Sequence, residues 1–294
     1  MFDVLQVTGK FLSYFGYAAI AGAFYAPLLC NERPGADVRH SIVRKYLRGC
    51  IFALIMAIVG TVLWFFAKTG ALASQGVTGA FDPLMLRIMW SATPGDAVLV
   101  KTLAFFAALI VIIRYQAAQY KPGKMFYIGL GIPMVAAGIS STLTGHIFEQ
   151  AMPEHIALIV HIITISWWAA SLPLLIQLAY QYPPSHVRRY MLRFGRDAWV
   201  PIVLLILTGV GMIYSLADLP EALYRTLYGN IFMVKASLVL MMLGLAAWHK
   251  WSLVPMLVCN KPYKLIRSMK VESIIALFVL LITAVFTTFT GPHE

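Results

Sequence analysis

Long apolar runs separated by short polar connections dominate this sequence of 294 residues. A helix needs about 20 such residues to cross the hydrocarbon core of a bilayer. The pattern therefore predicts an all-α, polytopic membrane protein with eight transmembrane helices. The predicted spans are residues 11–30, 50–68, 97–116, 126–145, 156–180, 198–216, 230–249 and 271–290.

Lysine and arginine residues are concentrated in every second connection between these spans. Seventeen of the 23 lie in residues 31–49, 114–125, 181–197 and 250–270. Because basic loops stay in the cytoplasm, these four connections are predicted to be cytoplasmic, and both termini are then periplasmic. The opposite end carries eight of the twelve acidic residues. We call the two ends of the predicted bundle the basic end and the acidic end.

Composition narrows the class of protein further. Hydrophobic residues make up 60% of the chain and charged residues 12%, and the mean hydropathy is +0.78. Since soluble domains carry about 25% charged residues, this excludes a soluble enzyme, a disordered chain and a nucleic-acid-binding module; the partner it indicates is the lipid bilayer. The sequence contains no nucleotide-binding loop, no nucleophile triad and no H-E-x-x-H motif. We therefore expect no enzymatic activity.

Short motifs recur in the same order in the two halves of the chain. They predict two four-helix repeats, residues 1–146 and 147–294, that together form one membrane domain. Repeats with an even number of spans share one orientation, so their symmetry axis is expected along the membrane normal. The matching motifs are STLTGH at 141–146 with TTFTGPH at 287–293, Pro27 with Pro173, Gly60 with Gly209, and Gly95-x5-Lys101 with Gly229-x5-Lys235.

Four of the seven histidines belong to the acidic end, where Glu149 adds a negative charge. Imidazole is a common metal ligand, and a histidine inside a span usually faces the bundle interior or a wet cavity. We predict a cation site in which His146 and His161 are the core ligands and His155 and His293 are further candidates. Imidazole with carboxylate suits Cu(II), Zn or Ni, and thioether sulfur adds a preference for Cu(I). His161 is expected about five residues into the fifth span.

The other polar residues in the spans leave two interpretations open. Lys101 and Lys235 lie about one turn inside their spans, where they either extend to the headgroups or hold an acidic residue or backbone carbonyls. His40, His186 and His249 lie at the basic end beside arginine and lysine, which is typical of interfacial residues.

The sequence resembles the copper resistance D (CopD/PcoD) family of bacterial inner-membrane proteins. The resemblance covers residues 140–290 best and reaches the first half mainly through SATPGDAVLVK at 91–101. At position 249, where the family pattern leads us to expect Asn, this chain has His. The matching stretches are GH at 145–146, His161 with Trp168, SLPLL at 171–175, RFGRDAWVPIVLLILTG at 193–209, LYGNIFMVKASL at 227–238, AAWHKWSLVPML at 246–257, and Glu272.

The resemblance implies that the protein moves or handles copper at the inner membrane, with a periplasmic copper-binding protein of the CopC type as a partner. It implies His146 and His161 as copper ligands and Trp168 as a neighbour of the site. Tyr228 and Lys235 would belong to a structural or gating motif.

Two other functions fit the same residues. Four-helix membrane bundles also hold haem b through paired histidines on facing helices, and His146 with His161 would provide such a pair in a haem or quinone redox protein. Alternatively, the chain is a structural subunit in which the histidines only form hydrogen bonds.

Overall fold

The computed structural model describes residues 1–30, 36–117, 122–216, 227–257 and 262–289. These residues form helices and turns without any strand, which confirms the predicted all-α class. The main helices are α1 (Phe2–Leu29), α2 (Ala36–Ala73), α3 (Pro83–Trp90), α4 (Thr93–Ala117), α5 (Lys124–Thr142), α6 (Met152–Gln181), α7 (Pro184–Asp197), α8 (Trp199–Leu216), α9 (Leu227–Trp248) and α10 (Tyr263–Phe289).

Seven helical segments of the described chain are long and apolar enough to cross a membrane. They correspond to α1, α2, α4, α5, α6, α9 with its continuation to Met256, and α10. The sixth predicted span corresponds to α8, which passes the same test only together with α7, to which it is joined at a bend of 41°. The count is therefore seven spans, or eight if this bent pair is one span.

Several elements differ from the sequence-based prediction. Residues 181–197 were expected to be a connection, but most of them form helix α7, in which Val187, Tyr190 and Met191 are buried. Their spacing of three and four residues is that of one helix face, and the arginines between them hid this face from a search for apolar runs. Helix α2 begins at Ala36, well before the predicted start at residue 50. A search for apolar runs missed its first turns because they are polar.

The helices pack in a pattern that is similar in the two halves. In the first half, α1 packs on α2 and α5, and α4 packs on α2 and α5. In the second half, α6 packs on α8 and α10, and α9 packs on α10. Between the halves, α1 lies against α6 and α10, and α6 also lies against α5. In the first half, α2 packs on α4. Their counterparts in the second half, α8 and α9, make no extensive contact among the described residues.

Glycines set the closest approach of α1 and α2. A Cβ atom added at Gly9 would lie 2.6 Å from the carbonyl oxygen of Gly60, and one at Gly60 would lie 2.5 Å from Cβ of Leu12. Such small residues let helix backbones approach closely in a membrane, where packing replaces the hydrophobic effect. The first half is therefore closed along this interface.

Candidate metal site

His161 lies inside the helical bundle, between α6 and α8. Its Nδ1 atom is 3.1 Å from the hydroxyl oxygen of Thr208, and its ring also interacts with the backbone of Leu205. A Cβ atom at Gly209 would lie 3.5 Å from Cε1 of the ring, so the glycine leaves space that the imidazole uses. His161 follows the first residue of α6 by nine positions, about 14 Å of helix. It is thus deeper than the sequence predicted.

A buried polar network lies farther toward the basic end. The indole Nε1 of Trp168 donates a hydrogen bond of 2.9 Å to Oε1 of Glu272. The second carboxylate oxygen, Oε2, lies 3.3 Å from Nδ1 of His249 and has no hydrogen-bond partner among the described residues. Nε2 of His249 is 2.6 Å from the hydroxyl of Ser268. Trp168, Glu272 and His249 expose only 3%, 1% and 5% of their surface.

A thioether belongs to the buried cluster that contains the indole ring of Trp168. Met242 is 1% exposed and belongs to the same buried hydrophobic cluster as Trp168 and Leu205. The neighbouring Met241 on the same helix is 48% exposed. Met242 is therefore the methionine of this pair that faces the inside of the bundle.

These residues share one face on each of two helices. His161 and Trp168 are seven positions apart on α6, and Lys235, Met242 and His249 are seven positions apart along α9 and its continuation. Seven residues are about two helical turns, so each series lies on one face in steps of about 10 Å. Lys235 is the cation that acts electrostatically on His161. The buried groups therefore follow one another at three depths: His161 with Lys235, then Trp168 with Met242, and then His249 with Glu272, which belongs to α10.

The remaining predicted ligands lie closer to the acidic end or outside the described residues. His155 is half-buried near the start of α6, and its Nε2 atom is buried without a hydrogen-bond partner in the described part of the chain. It precedes His161 by six positions, which separates the two by about 9 Å along the helix and places them on different faces. Glu149 is exposed in the short helical turn His146–Glu149.

His146 begins that turn directly after Gly145, whose φ of +83° is the left-handed conformation that glycine adopts without strain. The side chain of His146 is not among those the structure describes, and the same holds for Tyr228 at the start of α9. His293 lies outside the described residues altogether.

No group of three or more His, Cys, Asp or Glu side chains comes together as a metal site within the described residues. The histidines whose side chains are described are His155, His161, His186 and His249. None of the other three shares the level of His161: His155 lies on another helix face, and His186 and His249 lie toward the basic end. The haem alternative, which needs paired imidazoles at one depth, gains no support from these four.

Sequence reasoning misjudged His249 and gave Glu272 no chemical role. His249 was expected to be interfacial, but it is buried because the π-helical turn His249–Leu253 continues α9 and turns the ring toward α10. Turns of this kind often occur at functional sites. The signal that could have found the pair is an acidic residue, Glu272, inside an otherwise apolar span, since such a residue needs an internal partner.

Together these observations define a multi-pass helical membrane protein whose second half carries imidazole, thioether and carboxylate groups inside the bundle. Comparison with known families agrees with this class. Residues 188–286 match the family described as "Copper resistance protein D", and residues 1–151 match the family described as "Copper resistance protein D-like, N-terminal domain". The chain belongs to the copper resistance protein D family, as its sequence motifs indicated.

A curated relative is the "Copper transport protein CutJ" of Bacillus subtilis (strain 168), which is 26% identical over 267 residues. The alignment covers 85% of this chain and 46% of that protein, so the chain spans about half the length of this relative. No solved structure matches the chain.

Proposed function

We propose that this protein binds copper at the acidic end of its second half and passes it toward the basic end along the inner faces of α6, α9 and α10. The observation that carries the proposal is the order of buried groups from α6, α9 and α10 at three depths. Each depth offers a group of a different kind: the imidazole of His161, the thioether of Met242, and the carboxylate of Glu272 with His249. The family membership and the name of the curated relative support copper as the ion.

The charges along this path favour monovalent copper. Lys235 acts on His161 as a nearby cation, and the Coulomb repulsion of an ion scales with its charge. A divalent ion beside His161 is therefore repelled twice as strongly as a monovalent one. Thioether sulfur also prefers Cu(I) over harder divalent ions. At the deepest level, Oε2 of Glu272 is a buried acceptor that a cation would satisfy.

The four histidines predicted as ligands then act in two layers. His161 is the ligand within the bundle. His155 lies about 9 Å nearer to the acidic end on another helix face, and we propose that it belongs with His146 and His293 to an entry layer. Glu149 is exposed at that end, where its charge raises the local concentration of cations.

We also propose that residues 1–146 and 147–294 are two repeats with different roles. The packing between the halves agrees with two repeats. If α6 corresponds to α1 and α10 to α5, the counterpart of the contact between α1 and α10 is the contact between α6 and α5, and both contacts occur. Gly60 and Gly209 occupy corresponding positions, but Gly60 lies against backbone and Leu12, whereas Gly209 lies against His161. The first repeat would then be the closed scaffold, and the second would be the copper-handling half, in which the described residues of α8 and α9 make no extensive contact.

The orientation follows from the positive-inside rule. We propose that the acidic end and both termini face the periplasm and the basic end faces the cytoplasm of a bacterial inner membrane. A periplasmic copper-binding protein of the CopC type would deliver or receive the ion at the acidic end.

The proposal is tested by copper uptake into liposomes that contain the purified protein, with Cu(I) supplied under reducing conditions. We expect His161→Ala and Met242→Leu each to lower the apparent copper affinity about 10- to 100-fold, because each removes a soft or borderline ligand from the path. Copper bound per chain, measured by mass spectrometry, provides a second readout of His161→Ala that does not depend on transport.

Met241→Leu is the matched control, since it makes the same chemical change on the same helix at an exposed position. His186→Asn is the control for a histidine at the basic end. Equal uptake by the Met241→Leu and Met242→Leu proteins would contradict the proposed path, and a stoichiometric Soret band in the purified protein would favour haem instead.

A further inference from the structure

A small cavity lies near the acidic end of the first half, away from the proposed copper path. Its volume is about 40 Å³, and its polar lining comes from α1, α2, α4 and the segment after α5. The polar residues that line it are Lys10, Ser13, Thr61, Trp64, Lys101 and Thr144.

Three of the polar groups that line this cavity, the ammonium groups of Lys10 and Lys101 and the indole of Trp64, can only donate hydrogen bonds. Nε1 of Trp64 is buried and has no hydrogen-bond partner among the described residues, and Trp64 itself is 8% exposed. Indole nitrogen and lysine ammonium donate hydrogen bonds and accept none. The hydroxyl hydrogens of Ser13 and Thr61 are already donated to backbone carbonyls. The ammonium and indole groups therefore suit a ligand that accepts hydrogen bonds, whereas the oxygens of Ser13 and Thr61 remain acceptors.

Positive charge accumulates around the same cavity. Lys10 and Lys101 line it, and Lys68 lies 5.2 Å above the centre of the Trp64 ring. Lys68 and Lys101 are the cations that act electrostatically on Lys10. Lys10 donates hydrogen bonds to the carbonyl and hydroxyl oxygens of Thr287 on α10, which use two of its three donors and do not neutralise its charge.

No carboxylate balances these charges within the described residues. The ion pairs found there are Arg193 with Asp197 and His249 with Glu272, and neither includes one of the three lysines. Uncompensated charge inside a membrane protein is costly, and such residues normally pair with an opposite charge or a polar ligand. Within the described part of the chain, Lys10, Lys68 and Lys101 therefore have no ion pair with a carboxylate.

We propose that this cavity binds one small inorganic anion of the size of chloride, held by Lys10, Lys101 and the indole N–H of Trp64. The cavity has room for one or two water molecules, which matches a monatomic anion. The anion neutralises the lysine cluster and thereby stabilises the contact of α1 with α10, the junction between the halves. The site is independent of the proposed copper path.

The test is equilibrium dialysis of the purified protein against radioactive chloride, with gluconate as the balancing anion. We expect one chloride per chain in the wild-type protein. Because Lys101→Met removes a charged hydrogen-bond donor, it is expected to weaken chloride binding at least about tenfold. Trp64→Phe, which removes the indole donor but keeps an aromatic ring, is expected to weaken it as well.

Lys264→Met is the matched control, because Lys264 is exposed at the basic end. Thermal unfolding in chloride and in gluconate at equal ionic strength provides a second measurement, since a bound anion stabilises the folded state. Absence of chloride binding in the wild-type protein, or equal binding by the Lys101→Met protein, would overturn the proposal. Competition by inorganic phosphate at a similar concentration would overturn the assignment of a small anion.

Discussion

Glu272 is the residue whose surroundings differ most from what its sequence position indicates. In the sequence it is one acidic residue near the start of an apolar span, and in the structure it is almost fully buried and contacts Trp168 and His249 from two other helical segments. Removing a carboxylate from water costs several kcal/mol unless partners replace the lost hydration. Its two contacts therefore make this residue a structural junction as well as a candidate ligand.

Replacing Glu272 by Leu should destabilise the protein by about 3 kcal/mol, because the indole N–H of Trp168 and the imidazole of His249 then lose a buried partner. Glu272→Gln should cost much less, since its amide oxygen still accepts the bond from Trp168. Thermal unfolding of the two variants in detergent measures the difference. Equal stability of both would mean that the Trp168 bond contributes little to folding.

His161 and His249 show what the local sequence can predict about a single residue and what it cannot. His161 was recognised as a candidate because a histidine within a span needs an internal partner, and it has one in Thr208. His249 was assigned to the interface because arginine and lysine surround its end of the chain. Sequence position gives the depth of a residue along its helix, but not the direction in which a π-helical turn points it.

At the scale of elements, the corresponding glycines of α2 and α8, Gly60 and Gly209, have different packing neighbours. Gly60 allows α1 and α2 to approach until a Cβ atom would overlap Leu12. Gly209 leaves ordinary van der Waals space to the ring of His161. The first interface is therefore closed by backbone packing, and the second contains a polar side chain.

Gly60→Ala should lower the stability of the protein by about 1–3 kcal/mol, because the added methyl group forces α1 and α2 apart. Gly49→Ala on the same helix serves as the control, since nothing lies within 4 Å of its added Cβ and alanine favours a helix by up to about 1 kcal/mol. Unfolding temperatures in detergent compare the two. A Gly60→Ala protein as stable as the control would show that the interface can relax.

The ends of the elements were the least predictable part of the fold. A search for apolar runs detects the segment inside the membrane, whereas α2 and α10 extend beyond it by polar turns. Helix α7 was missed for the same reason: its apolar residues occupy one face only, between arginines. Hydropathy averaged over a window does not resolve such a face.

For the whole molecule, the distribution of charge makes a prediction about orientation. In a variant in which Cys30, Cys50 and Cys259 are replaced by Ala, a cysteine at Glu149 should react with a membrane-impermeant maleimide in intact bacterial cells. A cysteine at Ser185 should react only after the membrane is opened. Both positions are exposed, so accessibility within the protein does not explain a difference. If only position 185 were labelled in intact cells, the orientation would be opposite to the one that the basic loops predict.

The helical class, the approximate position of the spans, the charge difference between the two ends and the family could all be predicted from the sequence. These properties follow from the length of apolar segments that a bilayer requires and from motifs read along the chain. Three contacts were visible only in the folded chain: Glu272 meets Trp168, 104 positions earlier, His161 packs against Gly209, and Lys10 and Lys101 line one cavity. Such contacts depend on how helices rotate and approach one another, which side-chain packing across the whole bundle sets and no single segment encodes.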